Sequence, residues 1–224
     1  MGAIAQNLAD ILLTIPNGVE LVAVSKFHPA EAIQEAYDAG QRIFGESRVQ
    51  ELTKKFEALP SDIRWHFIGH LQTNKVKPLI GRVALIESVD SEKLLRCIDE
   101  HSARAGVITR VLMQVHVAQE ETKFGFLPEQ LVDFFSNGGI ESLRATKICG
   151  IMGMASNTDD PERVRADFHA IAETRRKIIS LFPNGELTDF NTISMGMSHD
   201  YPIAIDEGAT LVRIGTAIFG ERNY

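Results

Sequence analysis

Short apolar runs with the composition of strands are followed, again and again, by segments with the spacing of amphipathic helices. This strand-helix alternation constrains the fold more than any other feature of the chain. The first run, Glu20-Leu21-Val22-Ala23-Val24-Ser25, is nearly continuous and rich in Val, as expected of a strand buried on both faces. Pro29 suits the first turn of a following helix that carries Ile33, Ala36 and Tyr37, and Gly40 is placed to end it. Ahead of this unit, Ile4, Leu8, Ile11, Leu12 and Ile15 predict one extra N-terminal helix that stops before Pro16-Asn17-Gly18.

The unit then recurs. Arg42-Ile43-Phe44 precedes a helix with Val49, Leu52 and Phe56; Arg64 to Ile68 precedes a helix from about Gln72; Val83 to Ile86 precedes Leu94, Leu95 and Ile98. Val111 to Val115 leads to a helix after Pro128, and Lys147 to Ile151 leads to a long helix after Pro161 that repeats Val164, Phe168, Ile171, Ile178 and Phe182 on one stripe. Strands near Asn191-Thr192-Ile193-Ser194 and Thr210 to Ile214 complete a count of eight. Eight such units in 224 residues fit a single (β/α)8 barrel spanning residues 1–224, with every helix outside and every strand's C-terminal end at one mouth. The competing topology is a doubly wound open sheet. Neither a Gly-x-Gly-x-x-Gly turn after the first strand nor a Walker loop supports it.

Composition narrows the class. Hydrophobic residues make up 44% and charged residues 24%, the balance of a globular protein with a sizeable core. A net charge of −7 without a long Lys/Arg run argues against nucleic-acid binding. No apolar run reaches the roughly 20 residues of a membrane span, the first residues lack the basic region of a secretory signal, and Gln6 breaks the myristoylation pattern, so a cytoplasmic protein is expected. Cys97 and Cys149, with no Cys-x-x-Cys, read as buried thiols.

The chemistry is expected where the strands end. Lys26 directly follows the first strand, so its amine can reach the barrel mouth. A solvated loop lysine is the plainer alternative, and a partly apolar surround is what would let the neutral amine attack a carbonyl. Ser194-Met195-Gly196-Met197-Ser198 follows the seventh strand, and Arg213-Ile214-Gly215-Thr216-Ala217 covers the end of the eighth. Gly196 and Gly215 could simply serve tight turns. Together, though, they supply small-residue loops, hydroxyls and a helix start where this fold usually binds phosphate. Arg213 suits a phosphate, a ring nitrogen or a salt bridge inside the mouth. An amine and a phosphate cradle at opposite sides of one mouth match the needs of pyridoxal 5′-phosphate (PLP), which carries an aldehyde and a phosphate.

The segments Leu21 to Lys26, Phe44-Gly45-Glu46, Trp65 to Lys75, Gly150 to Met154, and Ser194 to Ser198 through Phe219-Gly220 together resemble the pyridoxal phosphate homeostasis protein family, in order along nearly the whole chain. The resemblance implies a barrel similar to the N-terminal domain of alanine racemase that binds PLP without an established enzymatic activity. By motif, it implies that Lys26 holds the cofactor as a Schiff base and that Gly196, Ser198, Gly215 and Thr216 bind its phosphate, with Ser194 assisting. It places Arg213 at the ring nitrogen. Where the family commonly has Phe-Gly-Glu-Asn, this chain has Ser47, which offers one hydroxyl in place of an amide.

An arginine at the pyridine nitrogen disfavours its protonation and makes the ring a poorer electron sink than one paired with a carboxylate. That suits binding or, at most, racemase-like chemistry. Racemisation also needs a second base, which the alanine racemase family supplies as a tyrosine from another domain, and Tyr37, Tyr201 and Tyr224 are not evident candidates. His66 and His70 straddle a strand end and Gly69, so a structural hydrogen bond at His66 is expected rather than a metal. Glu120, Glu121 and Lys123 form either a solvated loop cluster or an ion pair at the mouth, with Lys123 a candidate to receive or release cofactor.

The expectation is therefore a PLP carrier or regulator, with PLP-dependent apo-enzymes as candidate partners and a monomeric or weakly dimeric state. The alternatives are a small amino-acid racemase or decarboxylase using the same linkage, and a cofactor-free Schiff-base aldolase.

Overall fold

A computed structural model describes residues 2–118 and 124–221. After an N-terminal helix α1 (Ala3–Thr14), strands and helices alternate: β1 (Glu20–Val24), α2 (Ala30–Asp38), β2 (Ile43–Glu46), α3 (Val49–Ala58), β3 (Arg64–Phe67), β4 (Leu85–Val89), α4 (Glu92–Ala105) and β5 (Thr109–Val115). The second half continues with α5 (Pro128–Ser136), β6 (Thr146–Gly153), α6 (Pro161–Ser180), β7 (Thr192–Ser194), α7 (Tyr201–Asp206), β8 (Leu211–Ile214) and α8 (Thr216–Phe219). All eight strands are parallel and pair in chain order, and β1 closes on β8 with Glu20 opposite Leu211 and Ala23 opposite Ile214. The expected closed barrel is the observed one, and the open sheet is excluded.

Parallel strands joined by helices leave no sheet face to water, which is why these strands read as continuous apolar runs. Their outward side chains meet the helices in one large core whose fully buried members include Trp65, Phe44, Phe67, Phe135, Phe168 and Phe190. The inward side chains form small clusters of their own: Val22, Ile43 and Leu211 from β1, β2 and β8, and Leu85, Leu112, Cys149 and Met152 from β4, β5 and β6. Alternation along a strand then puts Glu87 and Arg213, two residues beyond Leu85 and Leu211, into the lumen one layer nearer the mouth.

Helix α1 lies outside the alternating series. It is tied to α8 by the Asn7 side chain, which donates to the Ile218 carbonyl at 3.1 Å, and to α7 by Thr14 Oγ1 and the Tyr201 hydroxyl at 2.8 Å.

Two elements differ from the sequence expectation. The helix expected from about Gln72 is a pair of single 3-10 turns, Thr73–Lys75 and Lys77–Leu79. Pro78 lacks the N–H a longer helix would need and disfavours helical backbone at the residue before it. The fourth strand starts later, at Leu85, and runs on through Glu87 to Val89. A carboxylate looks like a strand end in a sequence, but this one is fully buried and paired. No helix among the described residues is long and apolar enough to cross a membrane.

Candidate functional site

The C-terminal ends of β1, β3, β6, β7 and β8 surround a pocket in the barrel mouth. Lys26, two residues past the end of β1, lines it together with Ser198, Gly215 and Thr216. Arg213, at 5% exposure, reaches it from β8, and Val24, Ile68, Met154 and Met197 supply apolar surface. Among the described residues, the ionisable ones lining the pocket are Lys26, His28, His199 and Arg213, with no carboxylate. The lysine and the guanidinium give this lining positive charge, which suits an anion.

The two small-residue turns are built to let backbone approach the pocket. Gly196 has φ +93°, and a Cβ there would lie 2.7 Å from the Ala204 Cβ and 2.9 Å from the Tyr201 Cα. A Cβ on Gly215 would come within 3.2 Å of the Val24 carbonyl oxygen. The turns are joined to each other: the Arg213 amide donates to the Gly196 carbonyl at 3.0 Å, and the Gly215 amide lies 3.4 Å from Ser198 Oγ. Helix α8 starts at Thr216 in the pocket lining; its Ile218 and Phe219 amides donate to the Gly215 carbonyl at 2.8 and 2.9 Å, which leaves those of Thr216 and Ala217 without an intrahelical acceptor.

Arg213 is fixed by a buried network across the lumen. Its guanidinium donates through Nη1 to Ser194 Oγ and through Nη2 to the Gly153 carbonyl at 3.0 Å. Ser194 Oγ in turn donates to Glu87 Oε2 at 2.6 Å, and Glu87 Oε1 meets His66 Nδ1 at 2.7 Å. Strands β4 and β7 are not neighbours in the barrel, so the Glu87–Ser194 bond must pass through its interior. Burial by itself would push the Glu87 carboxyl up, but the hydrogen bond and charge of His66, the charge of Arg213 and the bond from Ser194 hold it below the ordinary carboxylate value. With Glu87 ionised, the proton of the His66 bond sits on Nδ1. Burial pulls the Arg213 guanidinium below its usual value, while Glu87, 3.7 Å away, and Asp200 oppose the shift.

A second polar cluster lies behind Lys26. Buried Lys55, from α3, donates to Glu46 Oε1 at 2.7 Å, to Glu51 Oε1 at 2.7 Å and to the Ser25 carbonyl at 2.9 Å. Glu46 Oε1 also accepts from Ser25 Oγ at 2.6 Å, whereas its Oε2 is buried without a hydrogen-bond partner. Burial pushes the Glu46 carboxyl up against the opposing pull of Lys55 and Ser25.

Lys26, Ser198, Arg213, Gly215 and Thr216 thus share one pocket. Gly196 shapes the turn beside it, and Ser194 lies beneath as the link between Arg213 and Glu87. Ser47 is not among the residues lining the pocket. His66 has its hydrogen bond to Glu87, and His70 turns to a different carboxylate, Asp90, at 2.8 Å. The Tyr37 hydroxyl is held by Asp62 at 2.6 Å and that of Tyr201 by Thr14; neither residue lines the pocket. Glu120, Glu121, Lys123 and Tyr224 lie outside the described residues.

Sequence reasoning missed Glu87, Glu46, Glu51 and Lys55. The only signal for them was an acid set inside an apolar run, as at Glu46 and Glu87.

The chain is a closed eight-stranded parallel barrel, and the family model of the alanine racemase N-terminal domain matches residues 1–223 of it. The pyridoxal phosphate homeostasis protein of Aquifex aeolicus is 44% identical over 93% of this chain and 89% of its own length. Among solved structures, PipY of Synechococcus elongatus without PLP superposes with a TM-score of 0.90 at 36% identity, covering 97% of this chain and 100% of that one. PipY with PLP bound superposes with a TM-score of 0.85 at 37% identity and the same coverage. The chain belongs to the pyridoxal phosphate homeostasis protein family.

Proposed function

We propose that this chain binds PLP in the barrel mouth and acts as a cytoplasmic carrier and regulator of the cofactor, with residues 1–224 working as one cofactor-binding unit. The observation that carries this reading is a single pocket lined by a lysine after β1 and by Ser198, Gly215 and Thr216 from the turns after β7 and β8. The match to PipY, solved with PLP bound, supports the same assignment.

The residues present fit the group. Bound PLP supplies an aldehyde that condenses with a primary amine and a pyridine ring that withdraws electrons. Lys26 provides the amine. Ser198, Thr216 and the backbone at Gly196 and Gly215 take the phosphate, and Met154, Met197 and Ile68 cover apolar surface and exclude water. Arg213 would face the ring nitrogen, with Ser194 and Glu87 fixing its orientation. A guanidinium at that position withholds a proton from the nitrogen, which favours holding the cofactor over using it as an electron sink.

The hydroxyls of Tyr37 and Tyr201 are engaged with Asp62 and Thr14, away from the pocket, which supports storage and delivery rather than two-base racemisation. The natural recipients are PLP-dependent apo-enzymes, and the protein is a monomer or weak dimer that binds neither nucleic acid nor membrane.

Equilibrium titration with PLP tests the reading, alongside assays of alanine racemisation and of amino-acid decarboxylation. Saturable binding that is weakened in Thr216→Val, without turnover, is the expected result. No saturable binding would overturn it, and turnover at enzymatic rates would make the protein an amino-acid enzyme built on the same site.

A further inference from the structure

We infer that Lys55 and Glu51 of α3 are positioning residues for Lys26: they clamp the backbone on both sides of it and so set where its amine projects. This rests on the proposed cofactor linkage and deepens it.

The turn that carries Lys26 is attached to the barrel through the peptide group before the lysine and the one after it. The oxygen of the first, the Ser25 carbonyl, accepts from Lys55 Nζ at 2.9 Å. The nitrogen of the second, the Phe27 amide, donates to Glu51 Oε1 at 2.8 Å. The two clamps form one unit, because Lys55 Nζ also donates to that same Glu51 oxygen and to Glu46 Oε1, each at 2.7 Å. An ammonium has three protons to give, and here all three have an acceptor.

The clamp also has a conformation to enforce. Phe27 has φ +69°, the one non-glycine residue with positive φ among those described. An aromatic side chain adopts that region only where its surroundings impose it. The turn bond from the His28 amide to the Ser25 carbonyl at 3.1 Å favours it, and the α3 side adds two contacts, the Glu51 bond to the Phe27 amide and the Arg48 guanidinium 4.6 Å from the centre of the Phe27 ring. Without them the chain after Lys26 is expected to relax toward ordinary backbone angles and turn the lysine away from its productive direction. Small misplacements of a reacting group lower the yield of a condensation steeply.

Two readouts in the full-length protein separate positioning from general support. One is the yield of PLP trapped on Lys26 by borohydride; the other is affinity for pyridoxine 5′-phosphate, which has the ring and phosphate but no aldehyde. In Lys55→Met and Glu51→Ala, trapping at limiting PLP is expected to fall about tenfold or more while pyridoxine 5′-phosphate affinity stays within about twofold. Glu51→Gln, which keeps the acceptor for the Phe27 amide, should recover most of the yield. Glu51 is partly exposed, so Glu51→Ala decides the matter if Lys55→Met fails to fold. Unchanged trapping in Glu51→Ala, or an equal fall in both readouts, overturns the inference and leaves the PLP reading standing. Failure of the unsubstituted protein to trap PLP on Lys26 overturns the reading itself, and this inference with it.

Discussion

Removing the negative charge beneath Arg213 isolates one interaction on which the site depends. Glu87 and Arg213 are both buried, with Glu87 Oε2 lying 3.7 Å from Arg213 Nη1. At that separation and an effective dielectric constant of about 20, Coulomb's law gives roughly 4–5 kcal/mol. Removing one member of a buried ion pair typically costs about 3–5 kcal/mol, so the two routes agree on scale. Glu87→Leu and Arg213→Met should each destabilise the cofactor-free protein by about 3–5 kcal/mol. The double variant should be less destabilised than the sum of the two by about 2–3 kcal/mol, because it leaves no charge stranded. The loss of the His66 and Ser194 bonds to Glu87 occurs in the single and the double variant alike, so it cancels in the cycle. Urea unfolding followed by circular dichroism measures all four proteins on one scale. Additivity to within about 0.5 kcal/mol would refute the claim that Glu87 holds Arg213 through its charge.

Acid should erase the same interaction. The folded protein holds the Glu87 carboxyl below its ordinary 4.5, so the stabilisation is complete above that pH and is lost as pH falls through the lowered value; the stability gap between the unsubstituted protein and Glu87→Gln should narrow on acidification below 4.5, and a gap that widens would contradict the assignment. Gly196→Ala places a Cβ at positive φ against Ala204 and Tyr201, and a loss of roughly 2–5 kcal/mol is expected by urea unfolding; a loss below about 0.5 kcal/mol would show that the turn is not constrained as described. Lys26→Ala should abolish borohydride-trappable PLP while retaining pyridoxine 5′-phosphate binding, since the phosphate turns are untouched; loss of both would mean that Lys26 supports the pocket as a whole.

The barrel was legible because its strands, buried on both faces, are written as compact apolar runs, and because Pro29, Pro128 and Pro161 mark the entries to the intervening helices. The visible half of the site was legible for a related reason: a barrel of this topology carries its strand ends to one mouth, so Lys26, Gly196 and Gly215 could be brought together from their order alone. The lumen was not legible. Glu87 and Ser194 are separated by 107 positions and meet only because β4 and β7 face each other across a closed barrel, a relation that no local pattern records. Lys55 was hidden differently. On the stripe of α3 it reads as a solvated helix lysine, and only the buried carboxylates of Glu46 and Glu51 explain why it turns inward. The region after β3 was misread because Gln72 to Leu79 has helical composition, while Pro78 limits it to single turns.

The most direct test of the central claim is the absorbance spectrum of the purified protein with one equivalent of PLP, followed by borohydride reduction and peptide mass mapping. A linkage band that is fixed by reduction and maps to Lys26 in near-stoichiometric yield is the predicted result. A label spread over surface lysines, or one concentrated at a lysine other than Lys26, would contradict it.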